Sequence, residues 1–131
     1  MRVFIAGGTG VVGSRLTALL AARGHTVFAT THSKSKLEYL RHLGATPLLM
    51  DGLDASAVGN GVARAEPDVI VHQMTALSGA PDMRHFDRWF ATTNALRTKA
   101  TQHLLSAAEA TGVKRFIAQS YTGWTNRRQG M

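Results

Sequence analysis

The feature that most constrains this chain is a glycine-rich stretch near its beginning, FIAGGTGVVGSRL at residues 4–16. Gly7, Gly10 and Gly13 stand three residues apart, and a second pattern, Gly8-x-Gly10-x-x-Gly13, overlaps the first. The glycines follow an apolar run and precede a helix-forming run, so they join a predicted strand to a predicted helix. In that position we expect Gly7 to allow a tight turn, Gly10 to let a ligand approach the backbone, and Gly13 to permit close contact between helix and strand.

Apolar runs alternate with helix-period runs along the rest of the chain. The predicted strands are residues 3–6, 25–31, 46–50, 68–74 and 114–120, and the predicted helices are residues 13–24, 33–44, 54–65 and 87–110. Continuously apolar strands separated by helices indicate a parallel sheet covered on both faces. With right-handed crossovers, the predicted fold class is α/β, a doubly wound Rossmann-like sheet of about five strands in the order 3-2-1-4-5.

Helix ends and domain limits follow from the residues between these runs. Ser33 or Ser35 is the predicted N-cap of the second helix, and Asp54 caps the third. Helices are predicted to end at Gly24, Gly44 and Gly112. We assign residues 1–125 to one domain, and residues 126–131 to a basic tail or frayed loop.

Within this alternation, the glycine stretch predicts a phosphate-binding loop. The first turn of the following helix presents unpaired N–H groups and the positive end of the helix dipole. An isolated motif of this kind is equally consistent with a strand that merely ends at glycines, but the four further predicted strands favour a dinucleotide. The residues predicted to contact it here are Gly7, Thr9, Gly10, Val11, Val12 and Gly13.

Composition narrows the classes of function. The chain has no cysteine, which excludes thiol catalysis and cysteine zinc sites, and its histidines form no zinc motif, so we expect no metal. It contains no apolar run long enough to span a membrane and no signal-peptide pattern, so a cytoplasmic location is expected. The net charge of +7 is scattered over pairs of basic residues. That pattern predicts an anionic small ligand in preference to specific nucleic-acid binding, and a basic nucleic-acid-binding domain is kept as an alternative.

Four stretches of residues 1–125 resemble the short-chain dehydrogenase/reductase superfamily, in its extended or atypical, NAD-dependent epimerase/dehydratase-like branch. These stretches are GGTGVVG, DGLD, VIVHQMTAL and HLLSAAEATGVKRFIAQSYTGW. The resemblance implies that Asp51, followed by Gly52, bonds the adenine amino group and that His72, Gln73 and Met74 line the cofactor. It also implies that Thr122, or else Ser120, supplies an active-site hydroxyl; the alternative for Ser120 is a simple strand-end cap.

One catalytic element of that family is missing. The family uses a Tyr-x-x-x-Lys pair, in which the lysine cation favours the phenolate. Here Leu43 stands four residues after Tyr39, and Thr125 stands four residues after Tyr121. We therefore expect the N-terminal portion of a longer family member, truncated after the fifth strand and catalytically incompetent by itself. The alternative is a non-catalytic NADP-binding sensor or interaction module.

The residues after the second strand bear on the choice of cofactor. NAD specificity usually comes from an acidic residue at this position, but the chain has ATTHSKSK. Thr31, His32, Ser33 and Lys34, with Lys36, are suited to the extra phosphate of NADP, so NADP is favoured over NAD. Both lysines could equally be the solvated start of a helix.

A partner prediction concerns the long helix at residues 87–110. Apolar side chains follow one another along it, and the family's next helix would help to cover such a face. We expect an exposed apolar patch through which the chain self-associates. The residues concerned are Phe86, Trp89, Phe90, Leu96, Leu104 and Leu105.

Overall fold

The computed structural model describes residues 1–76 and 84–120, and these form a single parallel sheet with helices on both faces. The strands are β1 (Arg2–Ala6), β2 (Thr26–Thr31), β3 (Thr46–Leu49), β4 (Val69–His72) and β5 (Arg115–Ala118). The helices are α1 (Val11–Ala22), α2 (Leu37–His42), α3 (Ala55–Ala65), α4 (Phe86–Ala95) and α5 (Thr101–Thr111). The strand order is β3-β2-β1-β4-β5, which confirms the predicted fold class and order.

The centre of the sheet lies at β1, which pairs with β2 on one side and β4 on the other. Val3 is in register with Val27 and with Val69, so the three strands begin at the same level. The chain builds outward from β1 first to β3 and then, in the opposite direction, to β5. Ligands of such sheets bind at the carboxyl ends of the strands where this reversal occurs.

Alternate residues of the strands fill two separate cores. Phe4 and Ile70 point to the face covered by α3 and α5, where they pack with Val58, Val62 and Leu104. The residues on either side of Phe4 and Ile70 in the sequence point to the opposite face, which α1 and α2 cover, and pack around Leu40. Both faces of β1 are therefore buried, as the continuously apolar run at residues 3–6 predicts.

Two predicted helices differ from the observed ones. The run at residues 33–44 forms a 3-10 turn (Lys34–Lys36) before α2, and the Ser33 hydroxyl bonds the Ser35 hydroxyl at 2.9 Å, so neither serine caps α2. The run at residues 87–110 forms α4 and α5 joined by a π-helical segment, Leu96–Ala100. Asp54 does cap α3, where its Oδ1 accepts the N–H of Ala57 at 3.1 Å.

The apolar patch expected on the long helix is mostly not at the surface. Phe90 and Leu104 are buried inside the chain, because α4 and α5 turn these side chains inward, whereas Leu105 is exposed. Phe86 and Trp89 pack against Phe90. Another exposed apolar side chain is Ile117 on β5. No helix in the described ranges has the length and apolar character to cross a membrane.

Candidate dinucleotide-binding site

The glycine loop is fixed to the end of β2 by Thr30. The N–H of Gly7 donates to the Thr30 hydroxyl at 2.9 Å, and the N–H of Gly8 donates to the Thr30 carbonyl at 2.8 Å. Gly7 has a φ of +90°, a conformation that favours glycine, and a Cβ added there would lie 2.7 Å from the Gln73 carbonyl oxygen. The turn predicted at Gly7 is confirmed, and it places the loop directly against the end of β4.

Two further glycines are required by close packing within the protein. A Cβ on Gly13 would lie 2.1 Å from the carbonyl oxygen of Gly7, so α1 rests on the loop only because Gly13 has no side chain. The close packing predicted for Gly13 is confirmed, but its partner is the loop after β1 and not a strand. A Cβ on Gly8 would lie 2.7 Å from the Cβ of Ala29, a packing requirement that the sequence reasoning did not assign.

Gly10 differs from these three glycines. It is exposed, and a Cβ added there would meet only the Gly7 carbonyl oxygen, at 3.9 Å. The protein itself therefore does not require a glycine at this position. A ligand that closely approaches the loop does require one, which is the role predicted for Gly10.

The N-terminus of α1 opens beside Gly10, its N-cap residue. The N–H of Ser14 makes the first intrahelical bond, to the Gly10 carbonyl, so the N–H groups of Val11, Val12 and Gly13 have no partner within the helix. The first turn of α1 has no acidic residue, and the side chain of Val11 is 78% exposed. Val11 and Val12 are exposed and Gly13 is buried, so unpaired donors of the first two residues and the positive end of the helix dipole lie at the surface of the loop. This arrangement fits a pyrophosphate.

The loop after β3 meets the end of β4 at the same edge of the sheet. A Cβ on Gly52 would lie 2.6 Å from the Sδ of Met74, and the Gly52 carbonyl accepts a hydrogen bond from Nδ1 of His103 at 3.2 Å. Asp51 is exposed, and its Oδ1 accepts the N–H of Leu53 at 2.9 Å. The carboxylate is therefore held in a short turn at the rim of the site.

At the end of β2, the predicted residues separate into one buried residue and several exposed ones. Thr31 is buried, and its hydroxyl accepts the N–H of Ser33 at 3.1 Å, so it acts within the protein. His32, Lys34 and Lys36 are exposed, and Ser33 is half-buried. The position therefore presents cations to solvent without a neighbouring carboxylate among residues 30–37.

His72 ends β4 as a buried, neutral imidazole. The N–H of Met74 donates to its Nδ1 at 3.3 Å, so the ring proton is on Nε2, which donates to the Leu96 carbonyl at 3.0 Å. Burial, followed by the nearby charge of Arg97, lowers the pKa of His72, against the opposing effect of the Leu96 bond. Both ring nitrogens are engaged, so His72 positions the backbone around the site.

A cavity of about 150 Å³ lies at the carboxyl ends of β4 and β5. Sequence reasoning found three of its lining residues, His72, Gln73 and Met74, and missed the others: Thr75, Arg97, Thr101, Ala118 and Gln119. Arg97 and Thr101 come from the helical region after β4, where no motif marked them. Ser120 is exposed two residues beyond β5, and Thr122 lies outside the described residues.

The family of the chain follows from comparison with known proteins. Residues 7–131 match a protein family described as NAD(P)H-binding. The chain belongs to this NAD(P)H-binding family. The match covers the loop, the strand ends and the helices that form the candidate site, and a nicotinamide dinucleotide is therefore the ligand of this family's site.

Relatives and solved structures agree with this membership. The chain is 42% identical over 120 residues to a 3-diazoavenalumate denitrifying reductase of a Streptomyces species, covering 92% of the chain and 38% of that protein. The chain thus spans little more than a third of this relative.

Solved structures share its fold, and two of them serve as examples. The structure of WbmH of Bordetella bronchiseptica in complex with NAD+ has a TM-score of 0.68 and 26% identity, and the match covers 88% of this chain and 37% of that one. The UDP-glucose 4-epimerase of Thermotoga maritima has a TM-score of 0.76 and 24% identity, covering 94% of this chain and 38% of that one.

Proposed function

We propose that this chain is the dinucleotide-binding part of an NAD(P)H-dependent reductase of the epimerase/dehydratase-like branch. The observation that carries the proposal is the N-terminus of α1. There Gly13 lets the helix rest on the Gly7 carbonyl, and unpaired backbone N–H groups lie at the surface beside exposed Gly10. The 42% identity to a protein named as a reductase favours reduction as the reaction of the longer protein.

Most of the predicted residues have a place in this proposal. The N–H groups of Val11, Val12 and Gly13 bind the pyrophosphate, with Gly10 and Thr9 alongside them. Asp51 bonds the adenine at the rim, next to Gly52, and Gln73 and Met74 line the cofactor where β4 ends. The nicotinamide, when bound, supplies or accepts the hydride, and Ser120 or Thr122 supplies the hydroxyl that orients the substrate.

NADP is the preferred form of the cofactor in this proposal. Lys34 and Lys36 are exposed at the end of β2, and His32 and Ser33 lie beside them. A ribose phosphate is attracted by two cations, whereas a free ribose diol gains more from a carboxylate acceptor.

The 131-residue chain by itself binds without catalysing. It contains no Tyr-x-x-x-Lys pair. His72 is neutral and hydrogen-bonded at both ring nitrogens, so it does not replace that pair as an acid. The same observation favours the second candidate, a non-catalytic NADP-binding sensor or interaction module. The two are separated by assaying cofactor oxidation with the longer gene product, where activity supports the reductase.

Calorimetric titration with NADPH and then NADH tests the proposal. We expect wild type to bind NADPH more tightly than NADH. Gly10→Leu should weaken the binding of either cofactor by about 100-fold or more, because the leucine side chain occupies the path of the phosphates. Gly59→Leu is the matched control, since Gly59 lies within α3 and an added Cβ there meets no atom within 4 Å. No binding by folded wild type, or equal losses in both variants, would contradict the proposed site.

A further inference from the structure

The turn that carries Asp51 is shaped by hydrogen bonds within the turn itself. Oδ1 of Asp51 accepts the N–H of Leu53 at 2.9 Å, and the Asp51 carbonyl accepts the N–H of Asp54 at 3.1 Å. A carboxylate has about four acceptor positions, so the bond to Leu53 leaves others for a ligand. Asp51, Leu53 and Asp54 are all exposed, and the place of the turn on the protein therefore depends on its buried residue, Gly52.

Gly52 packs closely against two other parts of the protein. A Cβ added to it would lie 2.6 Å from Sδ of Met74 and 3.2 Å from Cδ2 of Leu96, so the turn rests on the end of β4 and on the π-helical segment. Backbone that is buried in this way needs partners for its polar groups, because an unpaired buried carbonyl is costly. The carbonyl of Gly52 therefore needs a hydrogen-bond donor.

His103 supplies that donor from the first turn of α5. Its Nδ1 lies 3.2 Å from the Gly52 carbonyl oxygen, and because a carbonyl only accepts, Nδ1 carries a proton. The neutral ring with its proton on Nδ1 and the cation can both make this bond. The next residue, Leu104, is fully buried in the core with Val58 and Val62, so His103 extends from a helix that core packing holds in place.

The place of the Asp51 carboxylate decides which base it can accept. The amino group of adenine donates a hydrogen bond to a carboxylate, whereas hypoxanthine has a carbonyl oxygen at the same ring position, which a carboxylate repels. A site distinguishes two such bases only if its acceptor is held at the correct distance and direction. A turn that could shift would accommodate either base and lose the distinction.

We infer that His103 is a positioning residue for base selection: by holding the Gly52 carbonyl, it keeps the Asp51 carboxylate where that group distinguishes adenine from hypoxanthine. The inference deepens the proposed function and rests on it, because Asp51 bonds adenine only in a chain that binds a dinucleotide. His103 acts through the turn and not by contact with the nucleotide. A side chain that keeps a donor at the place of Nδ1 should therefore keep the selection.

NADPH and its hypoxanthine analogue are the probes, since they differ where adenine carries its amino group. Each is titrated calorimetrically into the 131-residue chain. We expect wild type to bind NADPH about tenfold more tightly than the analogue, because the analogue replaces a hydrogen bond to a charged acceptor by a repulsive contact. Asp51→Ala should abolish this preference, and His103→Leu should lower it to about threefold or less. His103→Asn should retain it, because the amide nitrogen can take the place of Nδ1.

His42→Leu is the matched control, since it makes the same substitution at an exposed histidine. His42 ends α2 at the opposite edge of the sheet, before β3 begins. This variant should leave both affinities within about twofold. Equal losses of affinity for NADPH and for the analogue in His103→Leu would mean that the residue supports the fold in general, and would overturn the inference.

The outcomes separate the inference from the proposed function. If wild type binds NADPH but does not prefer it to the analogue, or if His103→Leu keeps the full preference, the inference alone is wrong. If folded wild type binds neither nucleotide, both are wrong. ¹⁵N NMR of the imidazole in wild type serves if His103→Leu does not fold. At about pH 8, where histidine is neutral, the His103 proton should be on Nδ1, and a ring protonated only at Nε2 would overturn the inference.

Discussion

The roles of individual residues at this site depend on how close their neighbours are. Gly13 is required by a contact of 2.1 Å that a Cβ would make, whereas Gly10 has open space around it. The glycine motif predicts both positions and this difference in role, because in such a loop one glycine faces the ligand and another faces the protein. Thr30, which holds the loop through its hydroxyl and its carbonyl, carried no recognisable signal.

His72 makes stability depend on pH. Burial lowers its pKa in the folded state from 6.5. At pH values between 6.5 and the lowered pKa, the unfolded state therefore binds more protons than the folded state. We expect the free energy of unfolding to fall as the pH drops below 6.5, by at most about 1.4 kcal/mol per pH unit from this group. Urea unfolding from pH 7.5 to 5.5 measures it.

Two variants assign that pH dependence to His72. His72→Gln keeps a donor and an acceptor without titrating, so part of the slope below pH 6.5 should disappear in this variant. His32→Gln is the same substitution at an exposed histidine, and a difference in slope between the two variants assigns the pH dependence to His72. An unchanged slope in His72→Gln would contradict the assignment.

At the scale of helices and strands, the order of the strands in the sheet was predictable from the sequence, and the boundaries of the helices were not. Apolar runs such as residues 3–6 and 68–74 determine which segments are strands, and chirality then determines the order of the sheet. The π segment at Leu96–Ala100 contains Thr98 and is followed by Thr101, whose hydroxyls bond carbonyls of the preceding turn, and helical periodicity does not detect such a local change of winding. For that reason Arg97, Thr101 and the cavity they line were missed.

The capping of α3 gives a prediction at this scale. Asp54 accepts the N–H of Ala57 and satisfies a donor that α3 cannot, so Asp54→Ala should cost about 1 kcal/mol and lower the Tm by about 4 °C. Asp54→Asn is the control, because its side-chain carbonyl still accepts this bond. Thermal unfolding by circular dichroism compares the two. Equal losses would mean that the charge of Asp54, and not its hydrogen bond, stabilises the helix.

At the scale of the whole molecule, the sheet is covered unequally. Helix α1 covers β1. A groove of about 400 Å³ lies between α1 and β5, and Ile117 on β5 is 55% exposed. Its apolar lining comes from Val3, Leu16, Leu20, Val69, Val71 and Ile117. Such a surface is unfavourable in water and favours association with another apolar surface.

Self-association of the chain therefore remains a prediction, with two places where it could occur. The sequence places it on the long helix, where Leu105 is 46% exposed, but most of the apolar side chains on that helix are buried or half-buried. The second place is the groove beside Ile117, whose side chain is exposed. We expect Ile117→Ser to reduce dimer formation in concentrated solution, measured by light scattering, and Leu105→Ser to leave it nearly unchanged. The reverse result would return the interface to the helix, and a monodisperse wild-type monomer would exclude both, because neither surface would then bury enough apolar area to offset the cost of association.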